Sequence, residues 1–366
     1  MILIVVAAAM YQSKIHREMV DFGVFRQAGA RARAAEPLYR AEDGHYQFKY
    51  LPAFALAMEP FAALDPDAAK TIWFAMSIGL LTAYVRWAVR ALPERRRPER
   101  TLIILTVLLM AKFYGHELVL GQSNVLLGTL LVAALLAAQV DLPVLSAGLI
   151  GAAAFVKPYA LVLVPWLAVT YGLSAIGVTL AVVGAGLLAP ALVYGWTGNL
   201  NLLASWAHTV SASTAPNLLI SDNISLAAMW AKWVGPGPLA SALAVGSAAA
   251  ALVLAAAVWR RRRGVDAPEY LEFALLMLFV PLLSPQGWDY VLLLATPAVV
   301  CLVDRWSEMS RSWRIGAGVS LALMGLTIFD VMGRDLYGRF MMLSIVSVAA
   351  IGVALALANL RWKAIA

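Results

Sequence analysis

The stretch Leu239–Trp259 reads LASALAVGSAAAALVLAAAVW and runs directly into Arg260-Arg261-Arg262-Arg263. Its 21 residues carry no charge, and about 20 such residues at about 1.5 Å each are what a helix needs to cross the hydrocarbon core of a bilayer. The four arginines mark the end that stays on the cytoplasmic side. The rest of the chain has the same character. Of 366 residues, 62% are hydrophobic and 13% charged, with a mean hydropathy of +0.79. A soluble domain is about half apolar and about a quarter charged, and no water-soluble fold of this size hides so much apolar surface. A soluble enzyme, a disordered chain and a disulfide scaffold are excluded. Cys301 is the single cysteine and lies in an apolar run, so neither a disulfide nor a cysteine metal site is available.

Further full-length spans are expected at Ala69–Leu92, Leu173–Trp196, Leu271–Ser284, Trp288–Val303, Ile315–Met332 and Phe340–Leu360. Between Thr101 and Gly172 the apolar sequence is cut into shorter pieces by polar breaks at His116–Asn124, Gln139–Pro143 and Lys157-Pro158. Such pieces suit inner helices around a polar cavity. Met1–Tyr11 is too short for a span and lacks the charged start of a signal peptide, so a misplaced start codon is expected. Basic residues fill Arg95–Arg100, Arg260–Arg263, Arg305–Arg314 and Arg361–Lys363. These loops are read as cytoplasmic. The net charge of +7 is therefore a topology signal, and no nucleic acid is implied. Alternation gives an all-α polytopic membrane protein of about 11–12 transmembrane helices, a single integral membrane domain over residues 1–366. Its two long outer loops are residues 12–68, carrying interfacial helices, and residues 197–237.

Most unusual polar residues then fall on the outer face. Asp21 precedes an aromatic- and alanine-rich segment that reads as an interfacial helix, with Arg26, Arg31 and Arg33 towards water. As a local feature Asp21 is a helix N-cap; as chemistry it is a carboxylate able to act as a general base. Tyr39, Lys49 and Tyr50 belong to an aromatic and basic stretch that suits either an interfacial belt or sugar and phosphate recognition. Asp65-Pro66-Asp67 spells D-x-D but sits where a helix start wants acids, and is read as a cap. His116, Glu117, Gln122 and Asn124 interrupt apolar sequence, as groups lining a cavity do. Lys157 either snorkels to the interface or faces a lipid phosphate. Ser221-Asp222-Asn223 looks like a helix cap, and Asp289 is able to cap, between Trp288 and Tyr290 at the interface. No phosphate-binding loop, nucleophile elbow or H-E-x-x-H is present, so ATP-driven and zinc-peptidase readings lack support.

Several stretches together resemble glycosyltransferase family 87, membrane enzymes of the GT-C superfamily. They are Asp21 with Phe25 and Ala28-Gly29, then Glu36-Pro37-Leu38-Tyr39, Phe48–Pro52, Gly121-Gln122-Ser123-Asn124, Lys157-Pro158, Asp222–Ser225 and Leu283–Tyr290. The resemblance implies a GT-C-like bundle and a glycosyltransferase. The expected donor is a polyprenyl-phosphate-linked hexose, with a lean to mannose, and the acceptor a glycolipid or polysaccharide hydroxyl. Asp21 would be the general base of an inverting transfer on the outer, periplasmic face of the cell membrane. Candidate donor and acceptor contacts are Arg26, Tyr39, Lys49, Tyr50, His116, Glu117, Gln122, Asn124, Lys157, Asn223, Trp288, Asp289 and Tyr290. No metal and no cofactor is implied. Some family members carry a histidine after the Trp of the Ser-Pro-x-x-Trp stretch, where Asp289 and Tyr290 stand here. The competing reading is a polytopic transporter or flippase, since polar groups at membrane depth also mark solute paths.

Overall fold

The computed structural model describes residues 18–363, so the short apolar start at Met1–Tyr11 lies outside the described residues. Apart from one isolated β-bridge, the regular structure among the described residues is helical. The segment expected as the first outer loop holds α1 (Val20–Arg33), a 3₁₀ segment (Ala41–Tyr46), α2 (Pro52–Ala57) and α3 (Glu59–Ala62). There follow α4 (Pro66–Arg90), α5 (Glu99–Leu120), α6 (Asn124–Gln139), α7 (Pro143–Val156), α8 (Val164–Tyr171), α9 (Leu173–Leu188) and α10 (Ala191–Asn217). The chain continues through α11 (Leu226–Val234), α12 (Pro238–Arg260), α13 (Glu269–Leu283), α14 (Thr296–Asp304), α15 (Arg311–Gly325), α16 (Phe329–Met332), α17 (Arg334–Met342) and α18 (Ile345–Lys363).

This is the all-α polytopic membrane class that the composition called for. Four described helices, α4, α5, α12 and α18, are long and apolar enough to cross a bilayer, and α9 with α10 would make a fifth. On α12, Leu239, Val245 and Val253 are 62%, 69% and 68% exposed, which only lipid makes tolerable for such a surface. By contrast α13 buries every residue from Tyr270 to Leu282 except Leu271. At 15 residues it is about 22 Å long. It can be short because protein rather than lipid surrounds it.

Four expected spans change form. Leu173–Trp196 is not one helix: α9 and α10 are bent by 93°, and within α10 the backbone leaves helical geometry at Gly195 (φ 70°, ψ 172°), a conformation open to glycine. Trp288–Val303 begins with a 3₁₀ segment, Asp289–Ala295, before α14. Ile315–Met332 ends as a helix at Gly325 and resumes only as α16. Phe340–Leu360 is divided at Ser344, whose φ is 56°.

The chain forms two compact units. Among the described residues the first comprises 18–83, 115–131 and 143–213, and the second 84–114, 132–142 and 214–363. In the second unit the arginine-rich loops are tied together. The Asp304 carboxylate accepts from the backbone N–H groups of Arg96 (2.9 Å) and Arg97 (2.9 Å). Glu272 pairs with Arg361 (3.3 Å) and Arg262 (3.6 Å), and the Arg361 guanidinium donates to the Pro268 carbonyl. At the other end of α13 the polar loops meet. Ile224 N–H donates to the Gly287 carbonyl (2.7 Å), Asp289 N–H to the Asp222 carbonyl (2.9 Å), and Ser347 Oγ to the Ile224 carbonyl (2.8 Å). One end of this unit is therefore basic, and the other gathers the polar loops assigned to the outer face.

Candidate active site

In the first unit, α1 and the turn after α5 place Asp21 and Gln122 together. The helix α1 starts at Val20, so Asp21 sits within its first turn and makes no capping bond; the N-cap reading is corrected. Its carboxylate instead accepts from Gln122 Nε2 at 2.7 Å. Met19 N–H donates to the Val119 carbonyl (3.0 Å), which fixes the start of α1 against the end of α5. The turn itself depends on Gly121, with φ +67°, where an added Cβ would lie 2.8 Å from Phe22 Cβ. Trp73 Nε1 donates to the Gly121 carbonyl (2.9 Å), and Phe22 stacks on Trp73 at 5.1 Å. Only glycine satisfies both the dihedral and the close approach.

The other candidates in this unit separate by geometry. Gln122 Oε1 accepts from Tyr50 OH (3.1 Å), whose oxygen accepts from Ser123 Oγ (3.2 Å). Glu117 is buried and acts as an anchor: its carboxylate accepts from Asn124 Nδ2 (2.8 Å) and from Val125 N–H (2.8 Å) at the start of α6. A carboxylate there complements the exposed N–H groups of the helix start. Lys157, at the break between α7 and the 3₁₀ segment Pro158–Leu163, has Asp21 and Glu117 as its charged neighbours. His116 and His45 also lie within electrostatic reach of Asp21.

Burial raises the Asp21 pKa above its ordinary 3.8, opposed by the Gln122 hydrogen bond and then by Lys157, His116 and His45. Burial lowers the Lys49 pKa, and Asp21 opposes that shift. The Lys49 backbone is held by Trp206 Nε1, which donates to its carbonyl (3.1 Å). The site thus collects a carboxylate, two lysines, histidines and amide groups on a half-buried surface.

Two candidates are occupied elsewhere. Arg26 donates to the Leu64 carbonyl (2.9 Å), and Tyr39 OH to the Tyr50 carbonyl (2.7 Å), so both brace the loop. Arg31, expected in water, is buried and pairs with Asp43. Asp65 accepts from the N–H groups of Asp67 (3.0 Å) and Ala68 (3.2 Å), as a cap of α4 does.

In the second unit, Asn223 and Trp288 form the isolated antiparallel bridge, and Asn223 Nδ2 donates to the Pro285 carbonyl (2.9 Å). Gly287 approaches so closely that an added Cβ would lie 2.0 Å from the Pro281 carbonyl oxygen. The cap of α11 is Ser225, accepting from Ala228 N–H (3.0 Å), rather than Ser221 to Asn223. Asp289 makes no capping bond, and both it and Tyr290 are buried rather than interfacial. Three neighbours went unnoticed in the sequence. Lys112 Nζ lies 5.1 Å from the Tyr337 ring centre, with Asp289 and Asp222 as charged neighbours. Lys232 donates to the carbonyls of Ser221 (2.8 Å) and Asn223 (2.7 Å), and burial pushes its pKa down to about 8.

A model of the family described as Glycosyltransferase family 87 matches residues 48–285. Asp21 lies before that stretch and Trp288, Asp289 and Tyr290 after it. No curated protein and no solved structure matches.

Proposed function

Because the chain belongs to glycosyltransferase family 87, we propose that it moves a hexose from a polyprenyl-phosphate-linked donor to an acceptor hydroxyl, with Asp21 as the general base. The observation that carries this reading is the Asp21 carboxylate held by Gln122 at 2.7 Å, with Lys157 and Lys49 as charged neighbours. In one displacement the acceptor oxygen attacks the anomeric carbon while Asp21 takes its proton. The bond from that carbon to the phosphate oxygen breaks, the lipid phosphate leaves with the electron pair, and the anomeric configuration inverts. Lys49 and Lys157 supply positive charge where the leaving phosphate develops negative charge. Mannose is the proposed hexose, and a glycolipid or polysaccharide the proposed acceptor.

The proposed place is the outer face of the cell membrane. In support, the arginine-rich loops of the second unit cluster at the end of α13 opposite its polar loops, as a cytoplasmic end should. The test is direct. Purified protein in lipid is given a labelled polyprenyl-phosphate mannose and an extract of membrane glycolipids. A labelled product of inverted configuration is expected, and none is expected from Asp21→Asn. Full transfer by that variant would remove Asp21 as base. Flux of a solute across vesicles with no transfer from any lipid-linked sugar would favour the transporter instead.

A further inference from the structure

We propose that Tyr50 and Ser123 are positioning residues that set the orientation of the Gln122 amide, so that it presents its N–H₂ to Asp21 and keeps that carboxylate ionised. This rests on Asp21 being the base.

A primary amide has two faces, one donating and one accepting, and can turn about its last torsion. Next to a carboxylate only the donating face is favourable. At Gln122 that choice is fixed from behind. Tyr50 OH donates to Oε1 at 3.1 Å, which leaves Nε2 to donate to Asp21 Oδ2 at 2.7 Å. The Tyr50 hydroxyl has one proton, and Ser123 Oγ, donating to the same oxygen at 3.2 Å, directs that proton towards Gln122. Asn124 Nδ2, anchored on Glu117, lies 3.5 Å from Oε1 and adds a second donor to the same face. All donors in the row therefore point one way, from Ser123 through Tyr50 and Gln122 to Asp21.

The row has an aromatic support. Tyr50 stacks on Phe54 at 4.6 Å and meets the edge of Phe25 at 4.9 Å, so its ring is held on both sides. Phe25 belongs to the same helix as Asp21. The charged and titratable groups facing Asp21 are Lys157, His116, His45 and Lys49, while Glu117 faces Lys157. The donors to Gln122 Oε1 described above are Tyr50 and Asn124, so the amide orientation is open to a separate test.

That test is the pH dependence of kcat/KM for sugar transfer by full-length protein in nanodiscs, comparing wild type with Tyr50→Phe and Ser123→Ala. Tyr50→Phe keeps the ring packing and removes only the hydroxyl. With that donor gone the amide is held less firmly in its donating orientation, the support to the ionised carboxylate weakens, and the acid limb of the profile should move towards higher pH by about one unit. Ser123→Ala should move it in the same direction by less. Gln122→Glu, which replaces the donor by a second carboxyl, should move it furthest. An acid limb that stays in place in all three variants, with activity scaled equally at every pH, would overturn the proposal. Variants that lose thermal stability in step with activity, without a shift, would do the same. The parent reading fails separately: if Asp21→Asn transfers sugar as wild type does, the base is wrong; if it is inactive while Tyr50→Phe shows no shift, only the positioning row is wrong.

Discussion

At the scale of single residues, Asp21 illustrates how a carboxylate can serve chemistry at a cost to folding. Burial raises its pKa above 3.8, so the folded protein holds the proton more tightly than the unfolded chain does. The sign follows: the ionised residue takes away stability as pH rises from 3.8 through its folded value. Asp21→Asn should therefore be at least as heat-stable as wild type while transfer falls by roughly 10² to 10⁴, the usual worth of a general base. Thermal unfolding in detergent beside a transfer assay checks both halves, and a variant that is both inactive and unstable would point to a structural role. Activity itself should rise with pH through the folded pKa of Asp21, above the value of a free aspartate.

Between residue and molecule, the decisive element is the turn from α5 into α6. Gly121 provides its positive φ, Trp73 holds its carbonyl, and Glu117 closes the start of α6. Gly121→Ala would force a side chain into the left-handed region, costing about 1–2 kcal/mol before the approach to Phe22 is counted. We expect lower yield of folded protein, and a lower kcat/KM in whatever survives, because Gln122 moves with the turn. A second element-scale prediction concerns α13 and α18. Glu272 and Arg361 are 3% and 1% exposed and paired at 3.3 Å. Removing Glu272 as Glu272→Ala leaves a buried guanidinium with less counter-charge and should cost about 3–5 kcal/mol. Chemical denaturation in mild detergent measures it, and a cost under about 1 kcal/mol would mean that the Pro268 and Arg261 carbonyls suffice for the guanidinium.

For the whole molecule the testable quantity is orientation. In a background lacking Cys301, Glu42→Cys should react with a membrane-impermeant maleimide in intact cells. Arg311→Cys should react only after the membrane is opened. Both positions are exposed, so accessibility to protein is not the limiting factor. Reversed labelling would place the Asp21 site on the cytoplasmic side and remove the proposed outer-face chemistry.

The sequence by itself determined the solvent, the helical class and the family, because these rest on sums over many residues: apolar runs, clustered arginines and motifs in order. It also brought Asp21, Gln122 and Lys157 forward, since polar groups in an apolar chain are conspicuous. It named Glu117 and Tyr50 as candidate contacts but could not show that Glu117 anchors α6 or that the Tyr50 hydroxyl turns to Gln122. It treated Leu173–Trp196 as one span, because hydropathy averages over a bend and carries no sign of backbone direction. Which of two oxygens a hydroxyl meets, or which face of an amide meets a carboxylate, depends on atoms 72 or 101 residues apart in the chain. Hydrogen bonds act over about 3 Å and demand direction, so only the tertiary structure could decide them.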